Sequence, residues 1–121
     1  MLPFMEAEEK HFEVKDFAGR TIICTELQWE DHVCGRRDHL YMEGAEQEVI
    51  EALQSPDYGI RHFVDVNHPN RRAYYKLSWT KDYYTKVIVQ FEDKECNGVG
   101  RVHTAYMPED ITPGDKPEIN V

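Results

Sequence analysis

The chain has 121 residues, 40% of them hydrophobic, and a formal net charge of −9. That apolar content is enough for one core but hardly for two. No window holds the roughly 18 to 20 apolar residues of a membrane helix, and the opening Met1 to Met5 runs into Glu6, Glu8 and Glu9 instead of following a basic stretch, so a soluble, unprocessed cytoplasmic protein with no membrane partner is expected.

Cys24, Cys34 and Cys96 are widely spaced and form no C-x-x-C pair, which argues against a disulfide framework or a zinc knuckle. In chain order, His11 to Phe17 and Arg20 to Thr25 alternate or run apolar on either side of Ala18-Gly19, the pattern of a short hairpin. Thr25 is then placed to cap a helix, with Gln28 as its capping-box partner and Leu27, Trp29, Val33 and Cys34 as apolar positions. Gly35 ends that helix. Glu43 to Gln54 forms the second, with Ala45, Val49, Ile50 and Leu53 on one stripe, acids in its first turns that suit the helix dipole, and Ser55-Pro56 as the stop.

After Gly59 the period changes to two. Ile60 to Val66, Arg72 to Trp79, Tyr84 to Glu92 and Gly98 to Met107 read as four strands separated by turn formers, including Asn67-His68-Pro69-Asn70, and their short connections imply an antiparallel meander. From Pro108 on, Pro113, Gly114 and Pro117 break any period. The sequence therefore predicts an α+β fold. One domain spans 1–107, with two helices packed on a four-stranded antiparallel meander and an N-terminal β-hairpin, and 108–121 forms an extended tail.

Charge is divided unevenly along the chain. Residues 1–60 hold five Lys and Arg against fourteen Asp and Glu, whereas 61–104 hold eight basic against five acidic residues. Such an asymmetry suits a basic working face, or an acidic half that simply keeps a small protein soluble. Strand alternation assigns Tyr75, Leu77, Trp79, Val87, Val89, Phe91, Val102, Thr104 and Tyr106 to a core face. Arg72, Tyr74, Lys76, Ser78, Lys86, Ile88, Arg101 and His103 fall on the other, cationic and aromatic, face. Cations and rings together can hold phosphates and stack bases, although Tyr also favours strands and Lys blunts sheet edges for ordinary reasons.

Two short motifs stand out: Trp29-Glu30-Asp31-His32 on the first helix, and His103-Thr104-Ala105-Tyr106 on the last strand. Together with Tyr74-Tyr75-Lys76 and Tyr84-Thr85-Lys86-Val87-Ile88-Val89, in this order, they resemble the barnase–EndoU–colicin–RelE (BECR) nuclease superfamily, and in particular its small phage- and prokaryote-borne members. The resemblance covers roughly Ile22 to Met107. It implies two helices on a four-stranded antiparallel sheet and metal-independent, toxin-like RNA cleavage in which a 2′-hydroxyl attacks the neighbouring phosphate.

That reaction needs a base, an acid and cations around the phosphorane. Imidazole is the side chain whose charge changes near neutral pH, which makes His32 the candidate base or acid. Lys76 and Lys86, expected on adjacent strands with matching parity, supply cations, and Arg36 and Arg37 supplement them. Thr104 and Tyr106 orient the phosphate or donate a proton. Tyr74, Arg101 and His103 complete the substrate-binding set. Thr104 and Tyr106 fall on the core parity, so either the helix bearing His32 leans over that face or a bulge at Gly98 to Gly100 shifts the register.

No cofactor is expected, and no metal: His32, Asp38, His39, His62 and His68 lack a close ligand spacing. A G-x-S-x-G elbow, a phosphate-cradling glycine loop and a dinucleotide fingerprint are all absent from the sequence. The competing reading is a catalytically silent module of the same fold whose acidic half engages a basic or antitoxin-like protein partner. A third is a structural subunit that assembles through an exposed strand edge.

Overall fold

The computed structural model describes residues 9–35, 41–57, 62–65, 68–111 and 115–117. Strands β1 (Lys10–Lys15) and β2 (Thr21–Thr25) form the expected antiparallel hairpin. Its turn is built by Asp16, whose carboxylate accepts the backbone N–H groups of Ala18 at 2.9 Å and Arg20 at 2.8 Å, with Gly19 supplying a φ of +85°.

The Thr25 hydroxyl accepts the Gln28 N–H at 3.1 Å and starts helix α1 (Glu26–Gln28). The expected long α-helix does not follow. After one turn the chain widens into a π-helical turn, Trp29–Val33, closed by Cys34 N–H donating to the Trp29 carbonyl at 2.8 Å. Gly35 ends it for a steric reason: a Cβ there would lie 2.6 Å and 2.7 Å from the carbonyl oxygens of Glu30 and Asp31. Helix α2 (Glu46–Gln54) begins later than its acidic run, because Gly44 takes a φ of +82° just ahead of it. It buries Val49, Ala52 and Leu53.

The remaining strands are β3 (His62–Asp65), β4 (His68–Leu77), β5 (Tyr84–Gln90), β6 (Gly100–Tyr106) and β7 (Asp115–Pro117). The α+β class is as expected, but the sheet is not a four-stranded antiparallel one. It is a mixed sheet of order β1-β2-β6-β5-β4-β3-β7, in which the meander β3 to β6 is extended on one side by a parallel pairing of β2 with β6 and on the other by β7. Strand β4 starts at His68, within the segment expected as a turn. The segment beyond Pro108, expected as an extended tail, supplies β7.

One face of the sheet carries the main core. Ile22, Cys24, Tyr74, Val87, Val89, Val102 and Ala105 meet Trp29, Val33, Val49 and Leu53 of the helical layer there. Asp16 anchors the hairpin into this core. Its carboxylate accepts Arg20 Nε at 2.8 Å and the Tyr74 hydroxyl at 2.7 Å, while the Arg20 guanidinium also donates to the Cys96 carbonyl at 3.3 Å and lies over the Phe91 ring. Burial raises the Tyr74 phenol pKa, so it remains a donor to Asp16.

Two substitutions test this packing by urea unfolding. Tyr74→Phe removes a donor from a buried carboxylate and should cost about 1–3 kcal/mol. At Gly100 a Cβ would stand 2.6 Å from Val89 Cγ1 and 2.7 Å from Phe91 Cε2, so Gly100→Ala should cost a similar amount, about 1–3 kcal/mol, through overpacking. Wild-type stability in either variant would contradict the packing.

Candidate functional site

Residues opposite one another on neighbouring strands share a sheet face. Tyr74 pairs with Val87 and Val87 with Ala105, a row on the helix-covered side; the next row, Tyr75, Lys86 and Tyr106, therefore lies on the opposite face. The same register puts Arg71, Gln90 and Arg101 in one row of that second face and Ala73, Ile88 and Thr104 in another.

A β-bulge in β6 produces this arrangement. Val89 pairs with Val102 but Ile88 pairs with Thr104, which leaves His103 as an extra residue and reverses the parity of everything after it. Thr104 and Tyr106 thereby join Lys86 rather than the main core. The expected shift of register exists, but it sits at His103 and not at Gly98 to Gly100.

Lys86 is the centre of the face. It is only 3% exposed, and its Nζ lies 5.3 Å from the Tyr75 ring centroid and 5.5 Å from that of Tyr106, within cation–π range of both. Tyr75 is fully buried and meets the Tyr84 ring edge-on at 5.8 Å. Arg71 Nε donates to Gln90 Oε1 at 2.8 Å, and Arg101 is exposed in the same row. Ile111 packs against the Ala73 and Tyr75 cluster.

The two sequence motifs meet through the main chain. Beyond Arg101 the β2 pairing ends, and the turn Trp29–Val33 lies beside β6 instead. The Thr104 hydroxyl donates to the His32 carbonyl at 3.3 Å, and the Gln28 amide donates to the His103 carbonyl. The His32 side chain is exposed at this edge.

Several expected placements need correction: of the residues assigned to the core face, Tyr75 and Leu77 lie on the side of Lys86 and Trp79 is 93% exposed. Lys76 pairs with Thr85, on the face opposite Lys86, and its Nζ donates to the Ser55 carbonyl at 2.8 Å just past α2. Tyr74 is a core residue bound to Asp16 rather than a substrate contact. Arg72, placed on the cationic face, is buried and donates to the carbonyls of Pro69 and Lys94 at 2.9 Å and 3.1 Å. Long polar side chains tolerate the helix-covered side because their heads reach carbonyls or a carboxylate at its margin. Arg36 and Arg37 lie outside the described residues, as do Asp38 and His39.

Arg71 was not among the expected members of this face, although it adjoins Arg72 in the sequence. His11 was missed altogether. Its ring stacks on Trp29 at 5.2 Å and bridges two acids, with Nδ1 3.1 Å from Glu26 Oε1 and Nε2 2.7 Å from Glu46 Oε2. Burial pulls the His11 pKa down, but hydrogen bonds and charge from Glu46 and Glu26 outweigh it, and the net direction is upward. Among the described residues no three or more His, Cys, Asp or Glu side chains are grouped to hold a metal, and no helix is long and apolar enough to cross a membrane.

A raised folded-state value means that the stability from this bridge is fully present below about pH 6.5 and is lost as pH rises through the folded value. The stability advantage of wild type over His11→Gln, measured by urea unfolding, should therefore be largest in mild acid and shrink on going alkaline. An advantage that grows with pH would contradict the bridge.

No protein-family model, curated protein or solved structure matches the chain, and the chemistry of the face itself carries the functional argument.

Proposed function

We propose that the domain binds single-stranded RNA across the sheet face opposite α2 and cleaves it without a metal. The observation that carries this reading is the gathering of Lys86, Thr104 and Tyr106 on one face, beside the exposed turn that bears His32. Arg71 and Arg101 share one row of the same face, separated from the Lys86 row by Ala73, Ile88 and Thr104, and the exposed Arg101 is the cation that a phosphate backbone lying along β6 meets. The part-exposed Tyr84 and Tyr106 rings on this face offer stacking surface for bases.

In the proposed reaction the 2′-oxygen attacks phosphorus and its proton passes to the His32 imidazole. The P–O5′ bond breaks, Tyr106 protonates the leaving 5′-oxygen, and the product is a 2′,3′-cyclic phosphate. The exposed Arg101 offsets the charge that builds on the phosphorane, the buried Lys86 adding only its longer-range field, and Thr104 fixes the His32 turn against the strand. The resemblance of the Trp29 to His32 and His103 to Tyr106 motifs to BECR nucleases supports the same chemistry.

A second reading is favoured by the burial of Lys86. An ammonium clamped between two rings is well placed to hold β4, β5 and β6 together, which suits a catalytically silent module of the same fold that binds RNA or a protein partner.

Incubation of the purified protein with end-labelled RNA in EDTA tests both readings. Cleavage should persist in EDTA and fall by about two orders of magnitude in His32→Ala, while Lys76→Ala, altered on the opposite face, cleaves like wild type. Circular dichroism checks that each variant is folded. RNA retained but not cut supports a silent RNA-binding module; neither binding nor cleavage overturns the nuclease reading and leaves the protein-binding module.

A further inference from the structure

A groove unrelated to the cationic face opens where β6 ends. Among the described residues it is lined by Tyr41, Asp82, Tyr83, Met107 and Glu109, and its volume is about 380 Å³. That is the size of a site for one large side chain or small ligand. Its lining pairs two phenol rings and a thioether with two exposed carboxylates, and none of these five residues is cationic.

The walls are held in place before anything binds. The Met107 N–H donates to the Tyr41 hydroxyl at 3.1 Å, so the ring of Tyr41 is tied to the strand end. Tyr84 N–H donates to the Pro108 carbonyl at 2.8 Å and fastens the Met107 to Glu109 wall to β5. On the other side, the hairpin that carries Asp82 and Tyr83 is closed by Ser78 N–H to the Tyr83 carbonyl at 2.8 Å and by Lys81 N–H to the Ser78 carbonyl at 2.9 Å. Fixed walls reduce the ordering cost of binding.

We propose that this groove takes an arginine side chain from a basic segment of a partner protein. Charge complementarity selects a cation: two carboxylate residues in a lining otherwise made of phenol rings and a thioether repel a phosphate and attract a positive head. The rings select its type. A guanidinium is flat, weakly hydrated and always charged, so it stacks on a phenol face while its N–H fork reaches a carboxylate, whereas an ammonium keeps its hydration shell. Met107 is the adaptable contact for the aliphatic stem. Neighbouring Trp79, 93% exposed on the same hairpin, offers the partner a further apolar contact outside the groove. This site shares no residue with the proposed RNA face and takes a ligand of opposite charge, so either assignment stands or falls without the other.

The test is an NMR titration of the full chain with a short acetylated, amidated peptide carrying two arginines, followed at the Met107 methyl and the Tyr41 and Tyr83 rings. Saturable shifts at these three residues are expected. Affinity should fall at least about fivefold in a combined Asp82→Asn and Glu109→Gln variant, and the same peptide with citrulline, isosteric but neutral, should not saturate the site. Because the citrulline arm uses the unaltered protein, it decides even where a variant is destabilised. The assignment is overturned if the arginine peptide leaves these resonances unmoved, if citrulline binds as well as arginine, or if a lysine peptide binds equally tightly.

Discussion

The extra residue in β6 constrains everything that the sheet displays. Side chains alternate between faces with a period of two, so inserting one unpaired residue reverses every assignment beyond it. Before the bulge, Val102 pairs with Val89 and fills the core; after it, Thr104 and Tyr106 turn to the side of Lys86, while Ala105 closes the core against Val87. A regular β6 would bury Thr104 and Tyr106 under the helices and leave Lys86 without the Tyr106 ring. The bulge also coincides with the point where the β2 partner is replaced by the turn that carries His32, so one local irregularity both sorts the faces and brings the two motifs together.

The rest of the fold holds that irregular strand in position. Gly100 lets β6 approach Val89, Phe91 and Ile22 closely enough for the parallel pairing with β2. Asp16 then ties the hairpin to Tyr74 of β4 and, through Arg20, to the loop at Cys96 that leads into β6. A charged pair at this depth costs desolvation, which is offset only because the carboxylate accepts from two backbone N–H groups, a guanidinium and a phenol together. On the other side of the hairpin, His11 joins α1 to α2 through Glu26 and Glu46. The helical layer is thus fastened at both ends of the face it covers.

Much of this was legible in the sequence, and the exceptions have physical causes. Local signals marked the hairpin, the Thr25 cap, the Gly35 stop, α2 and the positions of the four meander strands, because caps, turns and periodicity act over a few residues. The parallel contact of Ile22 with Gly100 joins residues far apart in the chain, and no local pattern encodes it. The π-helical turn was hidden for a related reason: Trp29 and Val33 are buried four residues apart, as in an ordinary helix, and the turn packs against β6, which is distant in the chain. In β4 the alternation holds but its sides are exchanged, because a phenol and a long ammonium suggest solvent, whereas Asp16 and the Ser55 carbonyl receive Tyr74 and Lys76 on the helix-covered side. His32, Lys86, Thr104 and Tyr106 were singled out by residue type and order, yet their relation depended on a bulge whose position alternation alone does not give.

The face so formed places Arg71, Gln90, Arg101 and Tyr106, with the buried Lys86 among its rings, on the side away from α2, whose exposed positions include Glu48 and Glu51. The most direct test of the account is backbone chemical-shift mapping with an unstructured single-stranded RNA oligonucleotide at low salt. The account predicts that perturbations cluster on β4, β5 and β6 at those five residues and at the His32 turn, and that they fade as salt is raised. Perturbations centred on α2 or the Asp82 hairpin, or none at all, would contradict it.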